Sequence, residues 1–200
     1  MIRKLGAAAA VATLGTFGIA APAIAATFNG TSGSDNIRGT ESADTINGFA
    51  GDDTLDGRGG SDDVSGNAGD DLVKGSGGAD DLTGDLGNDR VRGQADADRV
   101  DGGRGSDLVL GGVGGDNVIG GSRDDTLVGG NGDDRLVPGA GSDQVYAGAD
   151  NDTVIVGVDG NARNSSSRDY IDCGDGNDTV VLTDGQFDPR DTFVNCETIN

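Results

Sequence analysis

Aspartate recurs at every ninth residue over most of this chain. In nine-residue units counted from Gly30, the sixth position is Asp in fourteen consecutive units, the last of which ends at Ile155. These residues are Asp35, Asp44, Asp53, Asp62, Asp71, Asp80, Asp89, Asp98, Asp107, Asp116, Asp125, Asp134, Asp143 and Asp152. A short carboxylate next to a turn can accept hydrogen bonds from nearby backbone or bind a metal held by that turn. The spacing therefore predicts a repeated metal-binding turn.

The composition excludes several other kinds of chemistry. The chain has 35 acidic residues against 14 basic ones, a net charge of −21, and no His. Only Glu41 and Glu197 are Glu, whereas a merely solvated acidic surface would use both acids. Such a charge argues against nucleic-acid binding, which needs a basic surface. The lack of His excludes Ser-His-Asp and Cys-His catalysis and a His-containing zinc site.

Each unit has the pattern of a turn followed by a short strand. The first six residues, as in 129–134, are turn formers, and glycines at positions one, two and four permit positive φ and close backbone approach. Positions seven to nine, as in Arg135-Leu136-Val137, alternate polar and apolar and predict a very short strand. Position eight is always aliphatic: Ile37, Ile46, Leu55, Val64, Val73, Leu82, Val91, Val100, Val109, Val118, Leu127, Leu136, Val145 and Val154. One such residue per unit can be buried only if units stack into a ladder.

Two more units follow an interruption. Residues 164–172 carry Asp169 at position six, and residues 173–181 carry Asp178 at position six. The intervening residues 156–163 are predicted to form a loop inserted into the array.

The units resemble the RTX, or haemolysin-type, calcium-binding nonapeptide repeat. Gly102 to Leu110 and Gly129 to Val137 fit its motif G-G-x-G-x-D-x-U-x in full. The resemblance covers residues 30–155 and 164–181. It implies an all-β fold, a right-handed parallel β-roll in which two nonapeptides form one turn of the solenoid. It also implies that calcium lies between loops stacked on one edge, held by position-six carboxylates and backbone carbonyls.

Transferred to this chain, the resemblance implies two edges of calcium ligands. The first edge contains Asp35, Asp53, Asp71, Asp89, Asp107, Asp125 and Asp143; the second edge contains Asp44, Asp62, Asp80, Asp98, Asp116, Asp134 and Asp152. Asp178 is a further predicted ligand. Six gaps per edge set a ceiling of about 12 calcium ions for the main array. Ser42, Asp96, Arg123 and Asp150 replace the usual Gly at position four and predict weaker occupancy in their loops.

The two ends of the chain have their own signals. Residues 1–25 combine a short basic start, an apolar run and the sequence Ala23-Ile24-Ala25, which is typical of a cleavable secretory signal peptide. Residues 26–155 would then form the β-roll, and residues 156–200 would form the interrupted final repeats and a C-terminal cap. Cys173 and Cys196 are the only cysteines, and in a secreted chain they predict one disulfide that clamps the tail; a pair of unpaired thiols is the alternative.

The expected function is a secreted, extracellular calcium-binding module with a structural or interaction role and no catalytic activity. An accessory module of a polysaccharide-acting enzyme, or an adhesin, is the alternative. Position nine, which should face outward, is polar in the first eight units. It is apolar or aromatic in the next six: Leu110, Ile119, Val128, Val137, Tyr146 and Ile155. This change predicts that the tail covers one outer row and that the other meets a second copy or an extracellular surface partner. The alternative is that these residues merely favour strand conformation.

Overall fold

The computed structural model describes residues 24–157, 167–183 and 188–200, and all regular secondary structure in these ranges is β-strand. The strands are Thr27–Asn29 (β1), Asn36–Arg38 (β2), Thr45–Ala50 (β3), Thr54–Gly59 (β4), Asp63–Ala68 (β5), Leu72–Gly77 (β6), Asp81–Leu86 (β7), Arg90–Ala95 (β8), Arg99–Arg104 (β9), Leu108–Val113 (β10), Asn117–Ser122 (β11), Thr126–Asn131 (β12), Arg135–Ala140 (β13), Gln144–Ala149 (β14), Thr153–Val156 (β15), Tyr170–Asp175 (β16), Thr179–Leu182 (β17), Thr192–Val194 (β18) and Thr198–Ile199 (β19).

The strands alternate between two parallel sheets. Odd-numbered strands form a ten-stranded sheet and even-numbered strands a nine-stranded sheet, each in sequence order. Within the main array, neighbouring residues in a sheet are eighteen positions apart, so Val109 lies between Val91 and Leu127. Two nonapeptides therefore make one turn, which confirms the predicted parallel β-roll.

The strands are longer than the sequence pattern predicted. From β3 to β14 each strand has six residues and runs from position seven of one unit to position three of the next. Only positions four to six form the turn, so the prediction that the first six residues are all turn is wrong. The left-handed residues at position two do not end a strand, because each pairs with the position-two residue of a neighbouring turn, as Gly112 does with Gly130.

The core is a ladder of position-eight side chains between the two sheets, joined towards its C-terminal end by Ala147, Val156 and Cys173. From Ile46 to Val180 every position-eight residue is fully buried, and Phe28, Ile37 and Phe193 extend the ladder at its ends with partial burial. Because each strand contributes one such residue, no unit has a core of its own, and the array is stable only as a stack.

The C-terminal units continue the roll. Val156, expected at the start of the inserted loop, is instead the last residue of β15, and residues 158–163 of that loop lie outside the described residues. Strands β16 and β17 extend the two sheets, and β18 and β19 pair with them as the last strands. The prediction that the tail covers an outer row is wrong for the described residues, since their strands pair with the ends of the two sheets and Ile171, Val180 and Phe193 extend the inner ladder.

The predicted disulfide between Cys173 and Cys196 is confirmed. The two Cα atoms are 5.2 Å apart, and Cys173 is fully buried. Cys173 occupies position one on β16, while Cys196 follows β18, so the bond ties the last turn to the end of the core. In the chain-entropy model a loop of this size stabilises the fold by about 3 kcal/mol.

The predicted signal peptide falls almost entirely on residues 1–23, which lie outside the described residues. Within the described ranges, no helix has the length and apolar character needed to cross a membrane.

Candidate metal centre

Each edge of the roll is a stack of turns that end in a position-six Asp. The Asp directly precedes a strand, and its carbonyl accepts the first backbone bond of the strand one turn further on. For example, Leu108 N donates to Asp89 O at 2.9 Å. The sheets therefore fix the height of every turn, and successive Asp side chains lie one strand spacing apart, about 4.8 Å.

One carboxylate oxygen of each Asp joins a continuous hydrogen-bond ladder. The Asp89 N–H donates to Oδ1 of Asp107 at 2.7 Å, and the Asp98 N–H donates to Oδ1 of Asp116 at 2.8 Å. The same bond recurs at every step from Asp35 to Asp143 on the first edge and from Asp44 to Asp152 on the second. Asp suits this position because its short side chain reaches the backbone of the preceding turn.

The other oxygen, Oδ2, is buried and has no hydrogen-bond partner along most of both edges. This holds for Asp53, Asp62, Asp71, Asp80, Asp89, Asp98, Asp107, Asp116, Asp125, Asp134, Asp152 and Asp178. Each of these residues is no more than 4% exposed. A buried carboxylate oxygen without a partner costs free energy, and a bound cation would remove that cost.

Backbone carbonyls approach the same carboxylates. A Cβ added at Gly84, in position one, would lie 2.7 Å from Gly102 O and against Asp89 Oδ2. A Cβ added at Gly87, in position four, would meet Gly69 O and would lie 3.1 Å from Asp89 Oδ1. Gly84 is therefore required for lack of space, whereas Gly87 also adopts a positive φ of 146°. Carbonyl and carboxylate oxygens together are the ligands that calcium prefers.

Among the described residues, no three Asp, Glu or Cys side chains come together as a metal cluster. Two successive carboxylates per gap are available instead, so backbone carbonyls would have to complete the coordination of any ion. The turns fit that requirement, since a position-four carbonyl oxygen lies against the next turn, as Gly69 O does against Gly87 and Gly87 O against Gly105.

Burial raises the pKa of the position-six carboxyls above their ordinary value of 3.8. The pKa rises to about 6 for Asp71, Asp80 and Asp152, and to about 7 for Asp89, Asp98, Asp125 and Asp134. The backbone hydrogen bond to Oδ1 opposes this shift, and neighbouring carboxylates add to it. Without a cation, the four carboxyls with a pKa of about 7 are therefore partly protonated at neutral pH.

The first turn on each edge is different. Thr31 at position two donates to Asp35 Oδ2 through its N–H at 2.6 Å and its hydroxyl at 2.9 Å. Thr40 makes the same two bonds to Asp44 Oδ2. These two carboxylates thus have partners that Asp89 lacks. From Phe49 to Gly148, and again at Gly174, position two has a positive φ, but the two threonines do not.

All fifteen predicted ligands lie on the two edges, and successive ones on each edge are stacked together. The ladder also includes Asp169, Asp191 and Glu197, which were not among the predicted ligands. The Asp143 N–H donates to Asp169 Oδ1, the Asp169 N–H to Asp191 Oδ1, and the Asp178 N–H to Glu197 Oε2. Each edge therefore has two more carboxylates than the seven counted for the main array, and the interruption does not break either row.

The last two acids could have been recognised from a shorter pattern. Asp191-Thr192-Phe193 and Glu197-Thr198-Ile199 repeat the acid-Thr-apolar sequence of Asp178-Thr179-Val180. They escape the nine-residue register because Asp191 comes thirteen positions after Asp178, and Glu197 only six positions after Asp191.

A parallel two-sheet solenoid with carboxylates and carbonyls stacked along both edges defines a calcium-binding β-roll. The family model for the RTX calcium-binding nonapeptide repeat (4 copies) matches residues 29–64, 56–91, 75–109, 83–118, 110–145, 119–154, 134–161 and 165–186. The chain therefore belongs to this family, and its array binds multiple calcium ions. No curated protein matches the chain.

Proposed function

We propose that this protein is a secreted calcium-binding module whose β-roll folds as calcium binds, and that it has a structural or interaction role outside the cell. The observation that carries the proposal is the row of buried Asp Oδ2 atoms without partners on each edge. Calcium binding, by family membership, supplies the positive charge that these rows need.

Coupling between calcium binding and folding is supported by the small apolar core and the large negative charge of the metal-free chain. Each strand contributes one buried aliphatic side chain, while the chain carries a net charge of −21. Metal-free folding would have to place carboxylates on adjacent turns in a buried setting, where their repulsion is strong. Metal binding and folding then form one equilibrium.

An extracellular location is supported by two features. Residues 1–25 have the pattern of a cleavable signal peptide, and a disulfide closes the C-terminal end, as is common in oxidising compartments. Sites built largely from carbonyls with few carboxylates suit the weak affinities of extracellular calcium modules, about 10⁻⁴–10⁻³ M.

The outer faces support an interaction role. The position-nine side chains from Leu110 to Ile155 face outward, and Tyr146 is 38% exposed. Tyr146 also contacts the ring of Tyr170 on the next strand, with centroids 5.9 Å apart. Such a surface suits self-association or an extracellular partner.

Circular dichroism of residues 26–200 in chelator and in millimolar calcium tests the proposal. We expect a large gain of β signal in calcium and little in magnesium, because Mg²⁺ requires a small octahedral site and retains its water. Equal β content in chelator and in calcium at neutral pH would show that folding does not depend on the metal.

A further inference from the structure

The C-terminal end of the second edge contains a carboxylate pair outside the matched repeats. Glu197 lies next to Asp178 on this edge, and the matches to the family end at residue 186. The nonapeptide register therefore assigns no role to Glu197.

Glu197 occupies the place of a position-six Asp. Its Oε2 accepts the Asp178 N–H at 2.9 Å, just as Asp178 Oδ1 accepts the Asp152 N–H at 2.8 Å. The next backbone bond also repeats, since Thr198 N donates to Asp178 O at 3.1 Å and Thr179 N donates to Asp152 O at 2.9 Å. Strand β19 then pairs with β17 in parallel register.

The shortened last turn explains why this acid is Glu. The chain returns to the second edge after only six residues, through Asn195 at φ 53° and the disulfide-bonded Cys196. With fewer residues in the turn, the extra methylene of Glu supplies the reach needed to meet the Asp178 backbone. The disulfide at the preceding residue holds the segment in place.

Asp178 presents an unpartnered oxygen at this end. The residue is 0% exposed, and its Oδ2 has no hydrogen-bond partner among the described residues. Burial raises the pKa of Asp178, the backbone hydrogen bond from Asp152 lowers it, and the nearby charge of Glu197 raises it again. Two carboxylates this close need a proton or a cation between them.

The turn below the pair also has the expected carbonyls. Gly174 has a φ of 93°, and a Cβ added at Gly176 would lie against Asp150 O and 2.8 Å from Asp178 Oδ1. The carbonyls of the preceding turn thus face this turn as they do elsewhere on the edge.

We propose that Asp178 and Glu197 form a terminal calcium site, in which Glu197 closes the second edge with a carboxylate from outside the nonapeptide array. The site rests on calcium binding by the array as a whole. Its ion would tie β19 to β17 and so hold the last turn on the roll.

The test compares Glu197→Gln with Glu41→Gln in the mature chain. Gln keeps an oxygen that can accept the Asp178 N–H but removes the charge. Glu41 is the only other Glu; it pairs with Arg58 at 2.6 Å on the surface and lies outside the ladder. Native mass spectrometry at saturating calcium should count one ion fewer for E197Q than for wild type, and no change for E41Q.

The outcomes separate this inference from the proposed function. If wild type binds no calcium, both fail; if wild type binds calcium and E197Q binds the same number with an unchanged titration, only the terminal site fails. If E197Q does not fold in calcium, the variant Glu197→Asp tests the site instead. Asp keeps the negative charge but has a shorter side chain. It should keep the wild-type ion count while the last ion binds about tenfold more weakly, a loss of about 1.4 kcal/mol. An unchanged affinity in E197D would overturn the site.

Discussion

Position four of the repeat shows how backbone conformation selects a residue. Asp96, Arg123 and Asp150 occupy this position with φ values of 74°, 85° and 82°, in the left-handed region that favours Gly. Asp96 gains a hydrogen bond in return, since its Oδ2 accepts the Gly78 N–H at 3.0 Å. Ser42 also replaces Gly, but its φ is not positive, because its loop is the different one closed by Thr40.

Arg123→Gly should therefore stabilise the calcium-bound protein. Removing the strained side chain should raise the free energy of unfolding by about 1 kcal/mol, since non-Gly residues in this region cost about 1–3 kcal/mol and Gly carries an entropic cost of its own. Ser42→Gly is the matched control, and without strain to relieve it should lower stability by about 0.5–1 kcal/mol. Denaturant unfolding in saturating calcium measures both; a loss of stability in R123G would contradict this account of position four.

In the first turn of each edge, the position-six carboxylate is satisfied by hydrogen bonds and needs no metal. Thr31 donates to Asp35 Oδ2, and Thr40 donates to Asp44 Oδ2. In most later turns the corresponding Oδ2 has no hydrogen-bond partner. The backbone of these turns also differs, as position two has no positive φ there. These loops are suited to cap the N-terminal end of the roll.

We predict that Asp35 and Asp44, although placed on the edges, bind calcium more weakly than interior residues or not at all. Asp35→Asn should leave the number of bound ions unchanged, whereas Asp89→Asn, in an interior turn with an unpartnered Oδ2, should remove at least one. Calorimetric titration of both variants against wild type measures the difference. An equal loss of ions in the two variants would mean that the threonine bonds give way to calcium.

The sequence predicted the elements that depend on strict periodicity. Aspartate and aliphatic residues at fixed positions were enough to infer repeated turns and a stacked inner ladder, because one aliphatic residue per unit can be buried only by stacking. The two edges and the parallel stacking came from the resemblance to the RTX repeat. The disulfide followed from there being only two cysteines. The lengths of the strands did not follow, because glycine-rich positions one to three look like turn until parallel pairing incorporates them.

The ends of the array could not be read from the periodicity. Thr31 and Thr40 lie at position two, where the residue type varies along the array. Only their hydrogen bonds show that they donate to the position-six carboxylate, in the place that a cation would otherwise take. Asp191 leaves the register because it comes thirteen positions after Asp178, and Glu197 because it comes only six positions after Asp191, so counting by nine misses both. Exceptions of this kind arise where a repeat ends, since the terminal units have a neighbour on one side only.

Over the whole molecule, two rows of carboxylates with raised pKa link folding to pH as well as to calcium. The pKa of Asp89, Asp98, Asp125 and Asp134 is about 7 in the folded chain, against an ordinary value of 3.8. Between these values the folded, metal-free roll binds more protons than the unfolded chain. Its stability is therefore greatest below about pH 4 and falls as pH rises towards 7.

In chelator, the β signal should decline as pH is raised from about 4 to 7, whereas in millimolar calcium it should persist across that range and above. Calcium must displace the protons, so its affinity should rise with pH up to about 7 and then level off. Circular dichroism and calcium titration across this range measure both trends. Adding 1 M NaCl, where the Debye length is about 3 Å, distinguishes long-range repulsion from burial of the carboxyls. Burial predicts a nearly unchanged pH midpoint in salt. Metal-free protein with more β structure at pH 8 than at pH 5 would contradict the raised pKa values as the cause.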